Sequence, residues 1–195
     1  MKESQKTVLI VAYYYPPLAG IGTLRSLKLA RYLPDYGWTP VVLTPRDGEH
    51  VYKCDASVGD LPGVRVMRTG YFDVPSRLKG ILGFRTSTPL AEQSEVFSRK
   101  LPLPGLARRG LRMIKSASLF PDARVGWYRA AVREGLAALK IYQPQIIFST
   151  SPPETGHLVA RRLKKASGLP WVAELRDLWS DNHQATGWPR WPRAR

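Results

Sequence analysis

Three short segments contain most of the side chains that could do chemistry: residues 16–22, 149–155 and 174–181. Each follows an apolar run typical of a buried strand. In the first segment, Gly20 and Gly22 would let backbone N–H groups approach a phosphate at the start of a helix. Arg25 stands where a dinucleotide-binding fingerprint needs a third small residue, and no Walker loop follows. The alternative, that the glycines only permit a tight turn, stays open.

The second segment places three hydroxyls, those of Ser149, Thr150 and Ser151, at the end of a predicted strand. Hydroxyls together with the N–H groups of a following helix suit sugars or phosphates. In the alternative interpretation, Ser151 or Thr155 caps that helix. His157 titrates near neutrality, so it is a candidate general base, with a structural role as the alternative.

The third segment alternates charged and apolar residues directly after a strand and includes Glu174, Arg176, Asp177 and Asp181. Burying these charges together is costly unless they pair with one another or meet a ligand. Arg176 could pair with Glu174 or Asp177, or the group could face a polyol and a diphosphate. The spacing of His, Asp and Glu indicates no metal site, and a single cysteine, Cys54, excludes an intrachain disulfide.

Alternating strands and helices must position these segments. Apolar runs predict strands at 7–13, 40–44, 64–68, 145–149 and 171–175, and helical periodicity predicts helices at 24–33, 125–142 and 155–165. We expect Val132, Leu136 and Leu139, with Tyr128, to share one face of the second helix. This order predicts one α/β domain over 1–195, a Rossmann-like, doubly wound parallel sheet. Because parallel strands deliver their carboxyl ends to one edge, the three segments should form a single crevice.

Charge is unevenly distributed. Thirty Lys and Arg face fifteen Asp and Glu, a formal net charge of +15, while 44% apolar residues exclude charge-driven disorder. An irregular, basic insertion at about 70–122 contains an apolar stripe flanked by four cations: Arg108, Arg109, Arg112 and Lys115. This pattern predicts a helix lying on an anionic bilayer, with a solvated surface over an ordinary core as the alternative.

The charge alone does not indicate a nucleic-acid partner. The sequence has no recognisable nucleic-acid-binding motif, and its aromatic residues are not interleaved with the basic run. It also has neither the apolar core of a signal peptide nor the roughly 20 consecutive apolar residues of a membrane span. We therefore expect a cytoplasmic protein that contacts the inner membrane face peripherally.

Several motifs, taken in order, resemble one family. They are VLIVAYYYPPLAGIGTLR at 8–25 with Lys28 and RYLP at 31–34, GWTPVVLT at 37–44, FPD at 120–122, GW at 126–127, STSPP at 149–153 with His157, and GLPWVAELRDLW at 168–179. In this order and spacing the chain is similar to family-four bacterial glycosyltransferases of the GT-B fold. The likeness extends across nearly the whole chain. One departure is Ala19, where members usually carry the first of two adjacent glycines.

The resemblance implies that the chain is the N-terminal, acceptor-side half of a GT-B fold. By matching motifs, Gly20, Gly22 and Arg25 would lie on the donor-phosphate side. The resemblance further assigns these residues: Ser149, Thr150, Ser151 and His157 bordering the acceptor, Glu174 and Arg176 binding substrate, and Asp177 as first choice for a catalytic or acceptor-orienting side chain. A C-terminal domain, which we expect to be absent from 1–195, would bind most of the nucleotide-sugar donor.

The implied reaction is retaining transfer of a sugar from a nucleotide-sugar to a lipid-linked or surface-polysaccharide acceptor, without a metal or other cofactor. Helix dipoles and cationic side chains would stabilise the leaving nucleoside diphosphate. Full activity would then need the donor domain, on a separate chain if necessary. The alternative is a non-catalytic module that binds anionic membrane surfaces through its basic stretch.

Overall fold

The computed structural model describes residues 6–18, 21–46, 61, 63–71, 121–122 and 124–177. The strands in this part of the chain are β1 (Lys6–Val11), β2 (Trp38–Pro45), β3 (Arg65–Thr69), β4 (Ile146–Ser151) and β5 (Trp171–Leu175). The helices are α1 (Ile21–Tyr32), α2 (Tyr128–Tyr142) and α3 (Thr155–Ser167), with 3-10 turns at Leu33–Tyr36 and Val125–Trp127. Every predicted strand and helix within these ranges is present, with bounds shifted by a few residues.

The strands form one parallel sheet in the order β3-β2-β1-β4-β5. Strand β1 is central, which explains its continuous apolar run. It ends at Val11, earlier than predicted, although the Ala12 N–H still donates to the Leu43 carbonyl. Strand β2 includes Pro40, whose missing N–H would point away from β1. Because β3 pairs with β2 only from Val41 onward, no ladder hydrogen bond is lost there.

Helices cover both faces of the sheet. Leu9, Leu43 and Ile147 lie in one buried cluster with residues of α2 and α3. Ile10 and Val42 point the other way, into a cluster with residues of α1. The fold is therefore the α/β, Rossmann-like, doubly wound arrangement that the sequence predicts.

The large apolar residues predicted to share one face of α2 do pack against the core, but they are not the most buried residues of the helix. Its fully buried residues are small ones, Ala131, Gly135 and Ala138, whereas the expected Val132, Leu136 and Leu139 are half-buried at the edges of the core. A Cβ atom on Gly135 would lie 2.7 Å from Cδ1 of Leu163 on α3. The close approach of α3 therefore selects small residues, and larger ones pack alongside.

Several predictions fall on residues outside the described part of the chain. These are most of the insertion at about 70–122 with its four cations, Arg108, Arg109, Arg112 and Lys115, and also Ala19, Gly20, Cys54 and Asp181. Among the helices that are described, none is both long enough and apolar enough to span a membrane.

Candidate functional site

The three chemistry-bearing segments meet at the carboxyl edge of the sheet, and Arg176 joins them. Its Nε donates to the Ser151 carbonyl at 2.5 Å and its Nη2 to the Pro152 carbonyl at 3.0 Å. The same guanidinium lies against Gly22, where a Cβ would be 3.2 Å from Nη2. We call this meeting point of Gly22, Ser151, Pro152, Glu174 and Arg176 the crevice.

Gly22 provides space in the crevice. Its φ is not in the left-handed region, so no turn conformation requires glycine here. An added Cβ would instead press on the Arg176 guanidinium and, at 3.2 Å, on Cδ2 of Tyr14. The absence of a side chain therefore lets the start of α1 approach the segment that follows β5.

Glu174 pairs with Arg25, a contact that connects β5 to α1. Nε and Nη2 of Arg25 each lie 2.5 Å from Oε1 of Glu174. Burial alone would raise the pKa of Glu174, but the Arg25 hydrogen bond, the nearby Thr150 hydroxyl and the charges of Arg25 and Arg176 lower it below its usual value. The hydrogen bond and charge of Glu174 in turn raise the pKa of Arg25. Glu174 thus holds a negative charge that Arg25 neutralises.

The ion pairs considered for Arg176 from sequence are not formed. Within the described residues Arg176 makes no ion pair with Glu174 or Asp177, because its donors are directed at main-chain carbonyls. Asp177 is exposed just beyond β5. Because it is exposed, Asp177 presents its carboxylate to solvent at the rim of the crevice. Nearby, burial raises the pKa of Glu154, and the charges of Asp122 and Asp177 raise it further.

Ser149 and His157 lie below the rim, on the face of the sheet covered by α2 and α3. Trp171 Nε1 donates to Ser149 Oγ at 2.8 Å, and Ser149 Oγ is 2.7 Å from Nδ1 of His157. Burial lowers the pKa of His157, against the opposing charge of Glu174, and keeps the ring neutral. Ser149 has no exposed surface and therefore does not border the open crevice, whereas His157 is half-buried.

Thr150 faces the other side of the sheet, toward α1. It lines an open groove of about 440 Å³ together with Arg25, Leu29, Phe148 and Glu174. Its hydroxyl is buried and close enough to Glu174 to help lower that pKa, yet it makes no hydrogen bond of good geometry. The neighbouring hydroxyls thus separate, with Ser149 and Thr150 on opposite faces of β4.

Asp122 caps α3, a role that the sequence suggested for Ser151 or Thr155. One oxygen, Oδ2, accepts from the Thr155 N–H at 2.7 Å and from its hydroxyl at 2.8 Å. The other, Oδ1, accepts from the Arg124 N–H at 2.6 Å. The Ser151 hydroxyl instead faces the Glu174 carbonyl at 3.5 Å. No local pattern in the sequence indicates this cap, because the partners are 33 residues apart.

Arg124 and a group of aromatic rings form the opposite part of the same sheet edge. The Arg124 Cζ lies 5.4 Å from the centre of the Tyr13 ring. Tyr13 packs edge-to-face against Tyr14, Tyr71 and Trp127, with ring centres 5.2, 6.2 and 5.4 Å away. Burial works to lower the pKa of Arg124, but the neighbouring tyrosines, Tyr13, Tyr71 and Tyr14, raise it. The run of three tyrosines after β1 could have indicated an aromatic cluster here, but not that Arg124 joins it.

No protein-family model matches this chain, and a search of curated proteins finds no match. The site must therefore be interpreted from its own chemistry. Within the described residues, no three His, Cys, Asp or Glu side chains are arranged to hold a metal ion. The described edge offers guanidinium groups, the start of α1 at Gly22 and the exposed carboxylate of Asp177. These groups can bind phosphate oxygens and orient a hydroxyl.

Proposed function

We propose that this chain is the acceptor-side half of a retaining glycosyltransferase. It would transfer a sugar from a nucleotide-sugar to a lipid-linked or surface-polysaccharide acceptor. One observation carries the proposal: Arg176 contacts Gly22 and donates to the Ser151 and Pro152 carbonyls, so the three motif-bearing segments form one crevice. Crevices of this kind, at the carboxyl ends of parallel strands, are where α/β folds bind ligands.

The residues around the crevice suit different parts of the reaction. The positive start of α1, beside the Arg176 guanidinium, would stabilise the negative charge that develops on a leaving diphosphate. Arg25 can also stabilise this negative charge, but only when it shares its donors between Glu174 and the diphosphate or releases Glu174. The exposed Asp177 carboxylate is placed to orient an acceptor hydroxyl. Ser149 and His157 support the end of β4 in this proposal, because Ser149 is fully buried and hydrogen-bonded to the His157 ring.

The proposed donor side of the cleft belongs to a second α/β domain. The test is a transfer assay with the 195-residue chain alone and with a GT-B donor domain supplied in trans. We expect turnover only with both present. Robust turnover by the chain alone would contradict the divided site, and no transfer from any nucleotide-sugar in either arrangement would contradict the proposal itself.

A matched pair of variants tests the role of Asp177. Asp177→Asn should reduce kcat by about 10²-fold or more, as expected for loss of a charged group that acts on the reacting hydroxyl. The control is Asp35→Asn, which makes the same change at an exposed aspartate in the 3-10 turn after α1. Equal rates for the two variants would remove Asp177 from the mechanism.

A second proposal is peripheral docking on an anionic membrane, at the cytoplasmic face of the inner membrane. The supporting observation is the outer surface of α1 and the following 3-10 turn, where Leu24, Tyr32 and Tyr36 are 52%, 51% and 79% exposed. Lys28 and Arg31 are exposed on the same helix. Exposed aromatic and aliphatic groups interleaved with cations suit a bilayer interface. The four cations of the insertion remain a prediction for the same role.

Vesicle flotation tests the docking proposal. The chain should float with vesicles containing phosphatidylglycerol, not with phosphatidylcholine alone, and salt should weaken binding. The double variant Lys28→Gln, Arg31→Gln should bind about thirtyfold more weakly, since each of the two cations contributes about 1 kcal/mol near an anionic surface. Its control is Lys164→Gln, Lys165→Gln, the same charge change on exposed residues of α3. Equal weakening by both pairs would indicate charge alone and contradict a defined surface.

A further inference from the structure

Arg124 is a half-buried cation that has no carboxylate partner within the described residues. No acidic oxygen there forms a salt bridge with its guanidinium. Its neighbours are instead the Tyr13 ring, 5.4 Å from Cζ, and Tyr71, whose hydroxyl helps to raise its pKa. A contact with a ring face occupies none of the five N–H donors of the guanidinium. These donors need acceptors, because burying a charge without a partner is unfavourable.

The nearest acid in sequence, Asp122, is already fully engaged. Both of its oxygens accept hydrogen bonds, one from the Arg124 main chain and the other from the N–H and hydroxyl of Thr155. Its negative charge therefore offsets the positive start of α3. Asp122 positions the backbone of Arg124 and leaves the side chain for another acceptor.

A second source of positive potential lies next to Arg124. Arg124 immediately precedes the 3-10 turn Val125–Trp127, which continues directly into α2. Neither the turn nor α2 has an acidic residue in its first turn. The start of this long helical segment and the guanidinium thus favour the same sign of ligand charge.

We infer that Arg124, held by Tyr13 and Tyr71, is a binding subsite for a phosphate group. The planar guanidinium would contact two oxygens of that group. The subsite continues into the crevice through Tyr14, which touches the Tyr13 ring and borders Gly22. The subsite lies beyond the ends of β1 and β3, whereas Arg25 and Arg176 lie near the ends of β4 and β5. The inference goes beyond the proposed transfer reaction and does not depend on it.

Calorimetric titration of the full chain with inorganic phosphate tests this subsite. Arg124→Gln should weaken phosphate binding about tenfold or more. The matched control is Arg129→Gln, the same change at an exposed arginine near the start of α2. It should leave phosphate affinity unchanged. No saturable binding to the wild-type chain, or equal weakening by both variants, would overturn the inference.

A conservative variant keeps the test valid if Arg124→Gln fails to fold. Arg124→Lys retains the charge but loses the planar fork, so phosphate should bind severalfold more weakly, while Arg129→Lys has no effect. Unchanged affinity in Arg124→Lys would overturn the two-oxygen contact. Circular dichroism of each variant confirms that the fold is intact.

Two further titrations identify the source of the phosphate. Uridine diphosphate represents a nucleotide donor, and a short-chain, soluble phosphatidic acid represents a lipid-linked acceptor. The ligand that loses affinity in Arg124→Gln but not in Arg129→Gln is the type that the subsite takes. If neither ligand loses affinity selectively, the subsite inference is wrong, even if sugar transfer is observed.

Discussion

Arg176 and Arg124 lie at the same edge of the sheet but use their guanidinium groups differently. Arg176 donates to two main-chain carbonyls and rests against Gly22, so its donors hold the crevice together. Arg124 lies over the Tyr13 ring, and no described carboxylate neutralises it. The comparison teaches that residue type does not decide whether an arginine binds a ligand. What decides it is how many donors the fold has already used.

The largest expected effect comes from removing the guanidinium of Arg176. Arg176→Gln should lower the free energy of unfolding by about 2–3 kcal/mol, because two carbonyls lose charge-assisted hydrogen bonds. Arg124→Gln should cost about 1 kcal/mol or less, the range of a partly exposed cation–π contact. Urea unfolding measures both, with Arg161→Gln, an exposed arginine of α3, as the control. Equal losses at Arg176 and Arg124 would erase the contrast between them.

Removing the Asp122 carboxylate tests whether its charge is committed to α3. Asp122→Ala should lower the free energy of unfolding by about 1–2 kcal/mol, the usual range for a helix cap. Asp122→Asn should lose less, because an amide oxygen can still accept from Thr155. Thermal unfolding checks this, with Asp35→Ala as an exposed control. A loss no larger than that of the control would mean that Asp122 does not cap α3.

A double-mutant cycle tests the contact between Gly22 and Arg176. Gly22→Ala should give little stabilisation in the wild-type chain, because its Cβ meets the guanidinium at 3.2 Å. Combined with Arg176→Ala, the same change should stabilise by about 0.5–1 kcal/mol, the helix preference of Ala over Gly. The free energies of unfolding of the four proteins give the coupling. Additive effects would show that the start of α1 does not contact Arg176.

The smallest expected effect is a pH dependence from His157, below the crevice. Its pKa is lower in the folded protein than the unfolded value of about 6.5, so the unfolded state takes up a proton first as pH falls. Stability should therefore decrease as pH drops through about 6.5 and lower, and be unaffected by this group above that range. Urea unfolding at a series of pH values should show a shallower slope for His157→Gln.

The difference between the two proteins is the informative quantity. Glu154, with its raised pKa, contributes in the opposite sense, since its stabilisation is lost as pH rises from about 4.5. It is present in both chains and cancels in the comparison. Identical slopes with and without His157 would contradict a buried, neutral imidazole beside Ser149.

Much of the fold could be predicted from local pattern. The apolar run of β1 and the helical periodicity of α3 gave element type and order, and the parallel sheet followed from their alternation. The buried face of α2 could not be predicted in the same way. Its Gly135 lies where Leu163 approaches, and the spacing between two helices is not encoded in the periodicity of one.

The site was predictable in position but not in its contacts. The sequence placed Gly22, Ser151 and Arg176 at strand ends, and these residues meet in the crevice. It grouped Ser149 with Thr150, yet alternation along β4 directs them to opposite faces. It also gave no indication that Arg124 stacks on Tyr13, because nothing local relates the two residues.

By itself, the sequence determined the order of strands and helices and the placement of polar segments at strand ends, since apolar periodicity acts over neighbouring residues. Only the tertiary structure decided which charges meet. Glu174 pairs with Arg25 across 149 residues, and Asp122 caps α3 across 33. Such pairings depend on how the strands align and where each helix lies on the sheet. That packing commits the donors of Arg176 to the backbone and leaves Arg124 without a carboxylate partner among the described residues.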